Sequence, residues 1–140
     1  FSFFIRTHSI MDILLFSSIS YQKPNQSIPP LRTHNSLIID LLHYLDNHYQ
    51  EDFSIQQLSE KYSFNASYLS RLFKKETGYS PKEYLLKVRL KNVQNLLIST
   101  NLPMEEIAEL TGFKHGYYLS KYFKKIFKMS PSTFRKKHLL

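Results

Sequence analysis

Five apolar residues, Leu37, Ile38, Leu41, Leu42 and Leu45, recur at helical spacing between Leu37 and Tyr49, which predicts an amphipathic first helix capped from Asn35 or Ser36. Ser54-Ile55-Gln56-Gln57 has the form of a capping box. It predicts a second helix to about Tyr62, with Ile55, Leu58 and Tyr62 inward. After the breaker Ser63-Phe64-Asn65, Asn65 is a cap for a third helix from Ala66 to about Thr77, ended by Gly78. Ser80 then caps a long helix opened by Pro81, where the missing N–H costs nothing, and continuing to about Ser99. Leu85, Val88, Val93, Leu96 and Leu97 supply its apolar stripe.

The same pattern then returns. Met104, Ile107 and Leu110 form the apolar side of a short helix broken at Gly112, Tyr117 to Phe127 form another, and Ser130-Pro131 open a last helix to about His138. YLSRLFKKETGYSP at 68–81 aligns with YLSKYFKKIFKMSP at 118–131, a shift of fifty. Leu58/Ile107, Glu60/Glu109 and Phe64/Phe113 align at forty-nine, so one residue has been added in the second turn. The predicted fold is all-α, with about seven helices forming two helix-turn-helix subdomains joined by a long central helix. Two copies separated by such a helix are not a solenoid.

In a helix-turn-helix, small residues let the first helix pack on the second. Ala108 and Gly112 fill those places in the second unit, and Ser59 and Ser63 in the first. The second helix of each unit then keeps one face for a DNA major groove about 12 Å wide. In the first copy Leu69, Leu72 and Phe73 are the inward stripe. Ser67, Ser70 and Arg71 stand near the helix start, where base edges are reached, and Lys74 and Lys75 lie later, suited to phosphate. In the second copy Leu119, Phe123 and Ile126 or Phe127 go inward, His115, Gly116, Tyr117, Ser120 and Lys121 face out, and Lys124 and Lys125 suit phosphate. Tyr68 and Tyr118 are read as core aromatics because they fall beside the leucines. The nineteen or so residues of the central helix give a length of about 28 Å, near the ~34 Å between successive major-groove faces.

Charge sharpens this picture. The chain has a formal net charge of +8 and a pI near 9.6, which favours a polyanionic partner. Residues 36–60 carry five acidic residues and no Lys or Arg, whereas residues 61–140 carry sixteen Lys/Arg against five Glu. The basic field therefore belongs to the repeated part. A lone Lys pair is usually a solvated helix face, but here the pair recurs at the same helical position in both copies.

Other chemistry finds little support. Cysteine is absent, which removes disulfides, thiol catalysis and Cys-type zinc sites. The six His residues have no ligand spacing, with His43 and His48 five apart on different helix faces. Glu105, Glu106 and Glu109 sit early in a helix, where carboxylates favour its dipole. No nucleophile, base and orienting group converge, so neither an enzyme nor a cofactor is expected. The chain begins at Phe1 without Met and is read as a fragment. The apolar segment Ile10 to Ile19 is too short to span a bilayer, so no membrane is expected, and the absence of cysteine fits a reducing, cytoplasmic location. Residues 21–35, rich in Pro and small polar types, read as a linker. Residues 1–20 are either the end of a preceding sensing and dimerising domain or a disordered scar.

Taken with the segment IAELTGF at 107–113, these motifs resemble the DNA-binding domain of the AraC/XylS family of bacterial transcription regulators over residues 36–138. The resemblance implies a homeodomain-like double helix-turn-helix, two recognition helices in successive major grooves, and promoter regulation, more often activation. It implies double-stranded promoter DNA as partner, with RNA polymerase and a homodimer formed through the missing domain. By position it assigns base-facing roles to Ala66, Ser67, Ser70 and Arg71, then to His115, Gly116, Tyr117, Ser120 and Lys121. Three departures stand out: Lys121 where Arg is usual, His115 where an Asp or Asn caps, and Pro103 in place of the Ser-like cap, leaving Asn101 as a substitute. The competing reading is a helical protein-interaction module with a non-specific basic surface.

Overall fold

The computed structural model describes residues 34–139. The linker and the N-terminal segment read from residues 1–33 lie outside them. Among the described residues there are seven helices and no strand: α1 His34–Asn47, α2 Ile55–Tyr62, α3 Ala66–Thr77, α4 Pro81–Ser99, α5 Met104–Thr111, α6 Gly116–Phe127 and α7 Pro131–His138. They divide into two compact units. Unit 1 comprises α1, α2, α3 and the first residues of α4, while unit 2 comprises residues 48–53, α4 from Tyr84 and α5 to α7.

In unit 1, α3 packs on both α1 and α2. Leu37, Ile38, Leu41, Leu42 and Leu45 of α1, Leu58 of α2, and Leu69, Leu72 and Phe73 of α3 are buried. Fully burying one such side chain contributes about 1.5–3 kcal/mol relative to leaving it in water, so the stripes set which face of α3 is left free. In unit 2, Leu90, Val93 and Leu97 of α4 join Ile107 and Ala108 of α5, Phe113 of the turn that follows, Leu119 and Phe123 of α6, and Phe134 of α7 in one cluster. Phe123 and Phe134 meet edge to face at 5.4 Å, a favoured aromatic geometry.

Backbone termini explain the boundaries. The Asn65 side chain accepts from the amides of Ser67 and Tyr68 at 2.9 and 3.2 Å, and the Ser54 hydroxyl accepts from Gln57 at 3.4 Å. Ser80 and Glu83 form a complete capping box: the Ser80 hydroxyl accepts from Glu83 N–H and the Glu83 carboxylate from Ser80 N–H. Ser130 repeats the first half of this by accepting from Thr133 N–H at 3.1 Å. Both turns between paired helices close alike, with a left-handed residue, Ser63 (φ 58°) or Gly112 (φ 88°), and a following Phe whose amide returns to Ser59 or Ala108.

The structure departs from the sequence pattern at α1 and α5. Asn35 and Ser36, expected as caps, lie inside α1 rather than ahead of it. It ends at Asn47 rather than Tyr49, where the Asn47 side-chain amide donates to His43 O at 2.8 Å and satisfies an orphan carbonyl. Leu110 is 46% exposed, because Ile107, Ala108 and Thr111 already take the inward side of the eight-residue α5. No side chain caps α5, neither Asn101 nor another, and Glu105 and Glu106 stand in its first turn.

Within unit 2, two arginines each bind a pair of backbone carbonyls. Arg89 donates to Tyr49 O at 2.7 Å and to Glu51 O at 2.8 Å. Arg135 donates to Leu97 O at 3.1 Å and Leu102 O at 2.8 Å. Burial pulls the Arg89 pKa below its ordinary value, and the charge of Asp52 opposes that pull. The guanidinium still carries its charge at neutral pH, so it satisfies two carbonyls at once.

Candidate nucleic-acid interface

The free face of α3 has the composition that a groove-binding helix requires. Ser67 and Arg71 are exposed, Ala66 and Ser70 are half-buried, and Lys74 and Lys75 are exposed in the last turn. Arg71 Nε donates to Ser67 O, one turn back, at 3.4 Å, a long bond that keeps the guanidinium along the outer face. The cap by Asn65 fixes the first turn, so the start of the exposed face is set by the residue just before it.

α6 repeats the arrangement with different means. Tyr117, Lys121, Lys124 and Lys125 are exposed, as is His115 just before the helix, and Ser120 is half-buried like Ser70. His115 occupies the cap position without a side-chain cap bond. The missing cap comes instead from α5: the Glu105 carboxylate accepts from Gly116 N–H at 3.0 Å. Gly116, expected to face outward, is buried. A β-carbon there would stand 2.9 Å from Glu105 Oε1, so glycine makes room for the carboxylate. The aligned pair in unit 1 is Gln56 and Ala66, and there Asn65 does the capping.

Tyr118, expected in the core, is 45% exposed. Its counterpart Tyr68 is held by a 2.8 Å hydrogen bond between its hydroxyl and His34 Nε2 and stacks on Phe64 at 5.8 Å. The ring neighbours of Tyr118 are His115 at 6.2 Å and Tyr117 at 5.6 Å, both themselves exposed. Tyr122 is also exposed, at 37%. The sequence reading missed Glu105 as a cap, although a glycine at the first helical position beside a non-capping His115 was its signal.

Among the described residues no three His, Asp or Glu side chains are grouped to hold a metal ion, and no helix is long and apolar enough to cross a membrane.

Residues 58–137, both helix-turn-helix units and the helix between them, match the model of a helix-turn-helix domain family of the AraC type. The chain belongs to the AraC/XylS family. Among AraC/XylS relatives it is 38% identical over 92 residues to the Msm operon regulatory protein of Streptococcus mutans, covering 66% of this chain and 33% of that protein. It thus spans about a third of the length of the curated relatives that it matches. The C-terminal domain of AraT, a response regulator from Geobacillus stearothermophilus, superposes with a TM-score of 0.71 and 32% identity, covering 74% of this chain and 87% of that one. The AdpA DNA-binding domain, solved with a target DNA, has the same fold at a TM-score of 0.68 and 23% identity, covering 72% and 91% of the two chains.

Proposed function

We propose that this chain is the DNA-binding part of a promoter regulator of the AraC/XylS type, acting as a sequence-specific activator. Each unit offers one helix, α3 or α6, to a major groove. One observation carries the reading: two helices on separate buried cores expose matched faces. Ser67, Arg71, Lys74 and Lys75 of the first correspond to Tyr117, Lys121, Lys124 and Lys125 of the second. In this reading Ala66, Ser67, Ser70 and Arg71 meet base edges in one half-site, and His115, Tyr117, Ser120 and Lys121 in the other. The four lysines of the last turns meet phosphate. Gly116 contributes space for the Glu105 cap rather than a base contact.

The same reading takes residues 36–138 as the DNA-binding domain, preceded by a linker and the end of a sensing domain through which the protein dimerises. RNA polymerase is the partner on which activation acts, and the compartment is the cytoplasm. No catalytic step is proposed.

Titrating affinity for duplex DNA against salt tests the proposal. Neutralising about six phosphates gives a slope of about −5 in log affinity against log salt. A flat response would overturn the reading and leave a protein-interaction module.

A further inference from the structure

At the start of α6 the fold leaves aromatic surface in water. Tyr117 is 70% exposed and Tyr118 45%, and their rings meet edge to face at 5.6 Å. Uncovered apolar surface grouped on one face, amid polar side chains, marks a contact. The matching place in α3, fifty residues earlier, is Ser67. The two helices therefore present different chemistry at the same turn. α3 offers a hydroxyl and, one turn on, the Arg71 guanidinium. α6 offers a phenol ring and, one turn on, the Lys121 ammonium.

That difference selects different features of a base pair. The guanidinium fork of Arg71 matches the two acceptors of guanine in the major groove, whereas an ammonium lacks the planar fork for this contact. Among the groups on the major-groove edges, the C5-methyl of thymine is the apolar one. A ring near the N-terminal end of a recognition helix stands where base edges are met. The edge-to-face contact with Tyr118 braces the Tyr117 ring and reduces the freedom lost on binding.

We infer that Tyr117 makes α6 a thymine reader, its ring packing on a thymine C5-methyl in the half-site taken by α6, while α3 reads its half-site through hydrogen bonds. This rests on the DNA-binding reading above and names what one of its two helices recognises. Tyr117 is then a specificity residue, and the Lys121 departure from the usual Arg is matched by an apolar contact one turn earlier.

The test starts from duplexes selected out of random sequence by the full 140-residue chain. The α6 half-site is the one whose base preferences survive Arg71→Ala. Each thymine in it is replaced in turn by deoxyuridine, which deletes the methyl and leaves base pairing intact. Uncovering one buried methyl weakens binding about fourfold. At one thymine the native chain should lose that factor, Tyr117→Phe should lose it equally, and Tyr117→Ala should bind both duplexes alike. A half-site without thymine, a native chain indifferent to deoxyuridine, or discrimination that persists in Tyr117→Ala would each overturn the inference. Those outcomes leave DNA binding standing. A native chain that enriches no sequence would instead take down the regulator reading, and this inference with it.

Discussion

Gly112 presses its backbone against the carbonyl oxygen of Tyr49: a β-carbon on it would lie 2.6 Å from that oxygen and 2.8 Å from Arg89 Nε. The same carbonyl accepts the Arg89 bond, so glycine, carbonyl and guanidinium form one layer beneath the turn that aims α6. Two penalties meet in Gly112→Ala, a left-handed φ of 88° and a contact with backbone that cannot swing away. The first costs about 1–2 kcal/mol and the second about 1–3 kcal/mol. Urea denaturation should register a loss of roughly 2–5 kcal/mol, and a loss below about 1 kcal/mol would mean that the turn relaxes freely.

Capping across helices gives a graded expectation. Glu105→Ala removes the partner of Gly116 N–H and should cost about 1 kcal/mol, the usual value of a lost N-cap. Glu105→Gln keeps an acceptor but removes the charge that favours a helix start, so it should cost less, about 0.3–1 kcal/mol. Equal losses for the two variants, measured by urea midpoint, would mean that the hydrogen bond contributes nothing.

Lys128 is a lysine in a glycine's conformation. It ends α6 at φ 60°, where the aligned residue after α3 is Gly78 at φ 81°. Lys128→Gly should therefore stabilise unit 2 by about 0.5–1 kcal/mol, the left-handed penalty less the extra freedom of unfolded glycine. Nothing lies within 4 Å of a β-carbon at Gly78, so Gly78→Ala isolates the backbone term and should lose about 1 kcal/mol. Thermal unfolding of the pair reads both signs; a destabilised Lys128→Gly would contradict the assignment.

On selected DNA, Arg71 and Lys75 should separate cleanly. Arg71→Ala should cost about 1–3 kcal/mol on the preferred site and relax one base position. Lys75→Ala should weaken all sequences alike and reduce the salt slope by about one. Competition binding with single-base variants distinguishes them, and uniform losses for Arg71→Ala would place its contact on phosphate.

Much of this architecture is legible in the sequence because each signal is local. Asn65, Ser80-Pro81 and Gly78 lie within a few residues of the termini that they set: α3 begins and ends, and the long α4 begins, where those residues require. The buried stripe of α1 follows from spacing alone. What escaped was decided by residues distant along the chain. Tyr68 and Tyr118 hold the same place in the repeat, but only the first meets a partner such as His34, thirty-four positions back. The burial of Gly116 depends on Glu105, eleven positions away in another helix. Local pattern cannot distinguish a Glu that favours its own helix dipole from one that caps a neighbour. The clamps of Arg89 and Arg135 reach back 40 and 33 residues to Tyr49 and Leu102, and their positions in the repeat do not align.

The borrowed cap also bears on the order in which the two repeated helices, α3 and α6, come into being. α3 carries its own start signal in Asn65 and can nucleate from its own segment. The first turn of α6 is completed by a carboxylate that arrives only once α5 has docked, so it forms with the tertiary structure and not ahead of it. In amide hydrogen exchange, the Gly116 proton should exchange only as fast as α5 and α6 part, while the Ser67 and Tyr68 protons can exchange through local fraying at the tip of α3.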